Sequence, residues 1–425
     1  MKKLYTAALF MMGLHFASSQ VYTTGSFALM SDVSNNGVAT GNVMTAYHIM
    51  WTEENGSENI GELTSGDYIS GLTNVTSDGK YISGTMTNPE TGKDEMARYD
   101  TTTKTWTYLG GLKASSDATL SSAWGMSSDG KVIVGLGWQT SGTGHGIVWR
   151  EGDGITDLGS TVAERSSRAN SVNDSGDIIV GWQDNDYGDR QGVYWKNGVQ
   201  VPLTDNDGMP TGEAVAVTPD GKTIIGFTYD NPFIWNETAG YTKITHPDPD
   251  YAGGAASITD DGKTVVGYFR PWNGQAVTGE GFIYTQEKGR VELNEYIASL
   301  GIDNQGITFA LPMAISPNGK YITGVGRTDD DIVGFVIKLP DSALSTQTAA
   351  VAKTKVYPNP VKDILHISKS ENVTLAEIYN MAGQKVYSTT SVNKSGLNLS
   401  ALPAGNYILQ MTVNGKTEST SLIKH

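Results

Sequence analysis

The sequence predicts an all-β protein: a seven-bladed β-propeller of four-stranded blades followed by a small C-terminal β-sandwich. Three observations carry that expectation. A strand, a tight glycine turn (Asp-Gly or Asn-Gly in six copies, Ser-Gly in the fourth) and a second strand recur seven times, at residues 33–41 (VSNNGVATG), 75–84 (VTSDGKYISG), 126–135 (MSSDGKVIVG), 172–181 (VNDSGDIIVG), 217–226 (VTPDGKTIIG), 258–267 (ITDDGKTVVG) and 315–324 (ISPNGKYITG). The turn glycines lie 41 to 57 residues apart, a period that marks solenoids and propeller blades. Short runs of Val, Ile, Thr and Tyr bounded by Gly, Asn and Asp fill each period, so the unit is made of strands rather than helices.

Taken in order, residues 1–19 read as a signal peptide. Lys2 and Lys3 form a positive start, an apolar run follows that is too short to span a membrane, and Ala17, Ser18 and Ser19 precede an expected cut ahead of Gln20. Residues 20–340 hold the propeller. Its first copy is preceded by a spare strand-like run, 21–27 (VYTTGSF). In each copy the second strand is expected to stop at the glycine that closes the motif. A third strand then ends in an aromatic at Trp51, Trp149, Trp195 and Trp235, with Tyr99 and Tyr284 as weaker matches and Ile337 in the last copy. A short turn leads to a fourth strand ending near Leu109, Leu158, Leu203, Ile244 or Leu293. Four antiparallel strands make one blade, and blades must stack around an axis because one alone cannot bury both faces. The Asp-Gly pairs supply the positive φ that two-residue hairpin turns need, so these glycines are structural. The last copy has only three strands before Pro340. The N-terminal run is therefore expected to become the fourth strand of blade seven, closing the ring and removing a free edge.

The copies resemble the extracellular HAF-type repeat, whose pattern is roughly A-x-x-V-S-x-D-G-x-x-I-V-G followed by G-x-x-x-W. Residues 125–135 and 214–226 match it well, and the resemblance runs from about 28 to 339. It implies a propeller-like extracellular domain and fixes no activity.

Residues 341–353 (DSALSTQTAAVAK) form a polar linker without hydrophobic period. Residues 354–425 follow as short alternating strands separated by turns at Ala382-Gly383, Ala404-Gly405 and Asn414-Gly415, which reads as a sandwich. Tyr357-Pro358-Asn359-Pro360, then 378–386 (IYNMAGQKV), then 402–407 (LPAGNY) resemble the type A sorting domain of the type IX secretion system. The resemblance implies passage across the outer membrane of a Gram-negative cell, with the secretion machinery as partner of residues 354–425. It also implies a mature protein secreted or held at the cell surface.

Composition narrows the chemistry. The 425 residues contain no cysteine, so disulfides and thiolate metal sites are absent. The formal net charge is −15, with charges scattered along the chain, which excludes the basic footprint that nucleic acids and anionic membranes require. No stretch is long and apolar enough for a transmembrane helix. Of six histidines, His15 lies in the signal peptide, His366 and His425 lie in the sorting domain, and His48, His145 and His246 are far apart in sequence. No metal-ligating pair, nucleophile elbow or phosphate-cradling loop is present.

The loops sort by face. Those joining strands two and three share a rim with the loops between blades, and the Asp-Gly turns lie on the other. The first rim holds Trp138 with Gln139, His145, Trp182 with Asp184 and Asp186, Tyr187 with Arg190, Tyr229 with Asp230, Arg270 with Trp272, and Arg327. Aromatics beside carboxylates and arginines suit an extracellular glycan or protein ligand. The alternative for Trp182 is that it packs under its own loop, as Phe227 and Tyr268 would at the matching position. Asp184, Asp186 and Asp189, or Asp205 and Asp207, could face a Ca²⁺, although neither run continues to the glutamate of a twelve-residue Ca²⁺ loop; no other cofactor is indicated. Asp184, Asp186, Asp230 and Glu280 are the carboxylates that a polysaccharide hydrolase or lyase would use, and no spacing pairs them. The expectation is a secreted or surface binding module. A polysaccharide-active enzyme and a purely structural or adhesive surface component are the alternatives.

Overall fold

The computed structural model describes residues 20–44, 47–64, 70–112, 119–140, 142–340, 343, 356–367, 373–380, 383–390, 392, 396–413 and 416–425. The expected signal peptide, residues 1–19, and nearly all of the expected linker lie outside these. The chain divides into two compact units, Met1–Leu344 and Ser345–His425.

Seven four-stranded antiparallel sheets build the first unit. Blade one is Ala28–Val33, Ala39–Val43, Tyr47–Thr52 and Gly56–Glu62. Blade four is Ser167–Val172, Ile178–Asp184, Arg190–Lys196 and Val199–Pro202, and blade five runs in the same way from Glu213–Val217 to Gly240–Lys243. Blade seven has three sequential strands, Thr308–Ile315, Tyr321–Arg327 and Ile332–Lys338, and takes its fourth from the N-terminus. Gln20–Ser26 pairs antiparallel with Ile332–Lys338, setting Val21 opposite Ile337 and Tyr22 opposite Val336. Val21 is buried with Ile337 and Phe335. The expected closure is therefore what the chain does, and the free edge of the last blade is gone.

The aromatic ends of the third strands lie where expected. Trp51 and Trp195 are buried between blades, and Trp149 and Trp235 are half-buried against the core.

Two local expectations are corrected. The Asp-Gly hairpin is longer than two residues. In blade five, Gly221 N–H donates to Thr218 O (2.8 Å), closing a turn that leaves Gly221 at φ +73°. The Thr218 hydroxyl donates to Asp220 (2.7 Å) and accepts from Thr223 N–H (3.1 Å). Thr259 and Asp261 repeat the arrangement in blade six. The turns also bond to one another around the rim: Asn35 N–H to Ser77 O (3.0 Å), Ser77 N–H to Ser128 O (3.0 Å), Asp174 N–H to Pro219 O (3.3 Å) and Asp260 N–H to Pro317 O (3.0 Å).

The second correction concerns the glycine closing each motif. The second strand does not stop there; in blade four it continues from Ile178 through Gly181 to Asp184. The reason is a β-bulge in the innermost strand. Ala169 pairs with Gly181 and Ser171 with Val180, so Asn170 is an extra residue. The bulge brings the preceding carbonyl against the partner strand. A Cβ on Gly181 would lie 1.9 Å from Arg168 O, and one on Gly135 would lie 1.9 Å from Ser122 O. Six blades share this device, with Ser31, Trp124, Asn170, Val215, Ala256 and Met313 at the bulge.

One element was absent from the sequence reading. A helix, Leu293–Ser299, follows the fourth strand of blade six and buries Leu293 and Ile297 beside Phe309 and Ile322 of blade seven. It occupies the longest interval between turn glycines.

The second unit is a small sandwich. One sheet orders Lys385–Thr389, Val373–Asn380, Gly405–Val413 and Lys416–Lys424, and the other orders Val356–Tyr357, Ile364–Ile367 and Leu397–Asn398. Val361, Leu365, Ile378, Leu409 and Leu422 fill its core. The residues of its motifs brace the fold. Asn359 accepts a hydrogen bond from Ile423 N–H (2.9 Å), and the Tyr407 hydroxyl donates to Pro403 O (2.8 Å).

Candidate functional site

The innermost strands of the seven blades surround a central channel with a cavity of about 330 Å³. Its walls differ along the axis. Val172, Val217, Ile258 and Ile315 line the middle, and Ser77, Ser128, Asp174 and Asp260 line the end formed by the Asp-Gly turns. At the opposite mouth stand Trp124, Arg168, Asn170, Glu213, Phe227 and Tyr268.

This mouth is built by the bulges. Arg168 and Asn170 flank the small residue Ala169 that pairs with Gly181, Glu213 precedes Ala214 in the next blade, and Trp124 is the bulge residue of blade three. The Arg168 guanidinium lies 3.5 Å from the Trp124 ring centroid and forms an ion pair with Glu213. Its Nε donates to Asn170 Oδ1 (2.7 Å), and Asn170 Nδ2 donates to Glu213 Oε1 (2.9 Å) and Ala214 O (2.7 Å). Arg190 reaches the same carboxylate from the third strand (2.7 Å) and lies 4.4 Å from the Trp182 ring. Burial lowers the Arg168 guanidinium to about 10, with the Glu213 charge opposing that fall, so it stays charged at neutral pH. Burial pushes the Tyr268 phenol up, keeping it a neutral hydroxyl. The mouth thus offers a flat aromatic face, a fixed guanidinium, a shared carboxylate and a neutral hydroxyl around one opening.

The expected site residues fall into three groups. Trp182 and Arg190 belong to the mouth cluster. Trp182 is only 7% exposed and packs beneath the arginines, with its Nε1 lacking a protein partner. Asp184 stands opposite Arg190 in the ladder, and burial raises its carboxyl.

A second group braces loops or blades. Arg327 donates to Val277 O and Gly279 O (both 2.7 Å), and Arg270 donates to Trp272 O (3.0 Å) and Gly274 O (2.8 Å). His145 bonds Asp157 (3.0 Å) and Gln139 (3.0 Å), and the Trp138 N–H donates to Leu120 O (3.0 Å). Glu280 pairs with Arg290 and with His246 Nε2 (3.1 Å). Asp230 sits in a turn closed by Thr228 N–H to Asn231 O (2.8 Å).

The third group is exposed: Tyr187 at 90%, Tyr229 at 80% and Trp272 at 55%. Asp186 and Asp189 lie in the Tyr187 loop, which Asn185 closes on itself. Asp205 accepts the N–H groups of Asp207 and Met209, as turn chemistry requires. Among the described residues, no three His, Asp or Glu side chains converge as a metal site.

The sequence reading missed Trp124, Arg168, Asn170 and Glu213 because it sought function in loops, and these sit on strands. A signal existed. When the six bulged copies are aligned on the residue that faces the closing glycine, Leu29, Ser122, Arg168, Glu213, Gly254 and Leu311 share one position, and two of the six are charged.

Comparison with known proteins bears on the two units differently. Residues 355–425 match the family described as the secretion system C-terminal sorting domain. The chain therefore carries a sorting tail of the type IX system and is exported to the cell surface or beyond it, as the tail motifs imply. No curated protein matches the sequence.

Three solved structures are similar in shape. TolB from Acinetobacter baumannii is 17% identical over 63% of this chain and 64% of its own, with TM-score 0.40, so the match spans just under two thirds of that protein. The β-propeller domain of the Trilobed protease from Pyrococcus furiosus is 13% identical over 73% and 95%, with TM-score 0.48. Oligogalacturonate lyase from Vibrio parahaemolyticus is 11% identical over 76% and 94%, with TM-score 0.49. Among the described residues, no helix is long and apolar enough to cross a membrane.

Proposed function

We propose that this protein is an exported binding module whose propeller takes a glycan or protein ligand at the channel mouth. The single observation behind this reading is the Trp124–Arg168–Glu213 cluster. A guanidinium buried against an indole and held by one carboxylate carries a desolvation cost that an apolar filling would avoid. Here the cluster surrounds an opening, where a ring face, a cation and a hydroxyl can each meet a ligand. The neighbouring carboxylates Asp184, Asp230 and Glu280 serve different local partners, which favours binding over paired-carboxylate hydrolysis.

The test is a glycan-array, polysaccharide-digestion and protein-pulldown screen on the secreted chain, with and without Ca²⁺, followed by titration of Trp124→Ala. Saturable binding without released product, weakened at least about tenfold by Trp124→Ala at unchanged melting temperature, supports the module. Oligosaccharide release would replace it with the enzyme reading.

A further inference from the structure

We infer that the ligand is a neutral polysaccharide chain, laid across a stepped aromatic platform beside the channel mouth; this rests on the binding-module reading above. The platform consists of Tyr187, Tyr229 and Trp272. Each rises from the loop between strands two and three, in blades four, five and six respectively, so three consecutive blades each present one ring on one rim. All three are more than half exposed.

Exposure alone would mean little, but each ring stands on a braced loop. The Asn185 side chain accepts the N–H groups of Tyr187 (2.9 Å) and Asp189 (3.0 Å), and Asn185 N–H donates to Asp189 O (2.9 Å). Thr228 N–H to Asn231 O (2.8 Å) pins the two residues between them, Tyr229 and Asp230. Trp272 N–H donates to Asp250 O (2.8 Å), while Arg270 caps Trp272 O and Gly274 O. The backbone is thus held while the side chain is left bare. That preorganisation lowers the ordering cost of stacking a ligand on the ring.

The distribution of polar groups chooses the ligand class. A protein partner prefers a contiguous apolar centre depleted of charge. These rings are separated by blade boundaries and interleaved with carboxylates: Asp186 and Asp189 beside Tyr187, Asp230 beside Tyr229, and Asp248 and Asp250 before Trp272. A polysaccharide has the matching pattern, with apolar ring faces at regular intervals and hydroxyls that donate to carboxylates. The same carboxylates repel uronates and sulfates. Two cations stand at the Tyr187 loop and both are engaged: Arg165 donates to Asp186 O within the loop, and Arg190 pairs with Glu213.

The experiment is affinity electrophoresis and calorimetry on the full-length chain, using soluble neutral β-glucan and galactomannan against polygalacturonate and alginate. The variants are Tyr187→Ala, Tyr229→Ala, Trp272→Ala, their triple combination, and Trp124→Ala. The expected result is retention by a neutral polymer, weakened about fivefold to tenfold by each single ring removal and abolished in the triple variant. Equal or tighter binding of the polyuronates overturns the inference, as does a triple variant that binds like the parent, or silence with every neutral polymer. The two readings fail separately. Loss with Trp124→Ala but not with the triple variant refutes the platform and leaves the mouth reading standing; the reverse pattern keeps the platform and refutes the mouth.

Discussion

Replacing Gly181 by alanine tests the connection between the repeat, the bulge and the site. The added Cβ would sit 1.9 Å from the Arg168 carbonyl oxygen, and relief to ordinary contact requires the two strands to part by more than about 1 Å. Forced overpacking of this kind costs about 1–3 kcal/mol, and the obstacle here is backbone that cannot rotate away, so the upper end applies. Loss of glycine's excess unfolded-state freedom returns about 0.5–1 kcal/mol. A net cost of about 2 kcal/mol corresponds to a melting temperature lower by roughly 4 °C for a domain of this size. The control is Gly198→Ala, where φ is +79° and nothing lies within 4 Å of the added methyl. It should cost only the left-handed backbone penalty, about 1 kcal/mol. Calorimetry of both variants settles the order. If Gly181→Ala melts at or above Gly198→Ala, the bulge does not impose the glycine. Because the displaced carbonyl belongs to Arg168, Gly181→Ala should also weaken ligand binding, whereas Gly198→Ala should not.

Three further outcomes follow from the same geometry. Deleting residues 20–26 strips the fourth strand from Ile332–Lys338 and uncovers the core at Ile337 and Phe335, so thermal unfolding should move down by about 10 °C or give way to aggregation; an unchanged transition would refute ring closure by the N-terminus. Asp32 accepts the N–H groups of Val33 and Val75 (both 2.8 Å), and burial pushes its carboxyl up to about 7 despite those bonds. The fold therefore holds a proton that the unfolded chain releases, a contribution fully present below about pH 4 and lost as pH rises through about 7; from pH 8 to pH 5 the parent should gain melting temperature relative to Asp32→Asn, and parallel curves would sink the assignment. Glu213→Leu leaves Arg168 buried without its partner and should cost about 3–5 kcal/mol in denaturant unfolding, most of it recovered in the Arg168→Met, Glu213→Leu double variant; a double variant as unstable as the single would show that the two charges are not coupled.

The architecture was legible because its determinants are local and recur. Thr218, Asp220 and Gly221 close their turn with hydrogen bonds among themselves, and Thr259, Asp261 and Gly262 do so again without help from the rest of the chain. The three-stranded last copy together with the spare run before the first implied the closure that Val21 and Ile337 make. What escaped the sequence is what depends on distant partners. The closing glycines read as strand ends because the carbonyl that demands them belongs to another strand. Arg270 and Arg327 read as ligand-facing because their acceptors are backbone carbonyls, which leave no mark in a sequence. Arg168 and Glu213 are 45 residues apart and meet only because successive blades place equivalent positions side by side.

That failure has a physical lesson for repeat folds. Blade after blade repeats the same turn and inter-blade packing, and six of the seven repeat the same bulge, so positions serving the fold converge on one residue type. The position before the residue that faces the closing glycine is less uniform: in the six bulged blades it holds Leu29, Ser122, Arg168, Glu213, Gly254 and Leu311. Arg168 and Glu213 depart from their counterparts by carrying charge into the channel mouth, where they pair with each other across two blades. A charge retained there at a desolvation cost marks binding better than Trp182, an aromatic expected on a loop that instead lies in a strand and packs beneath the arginines.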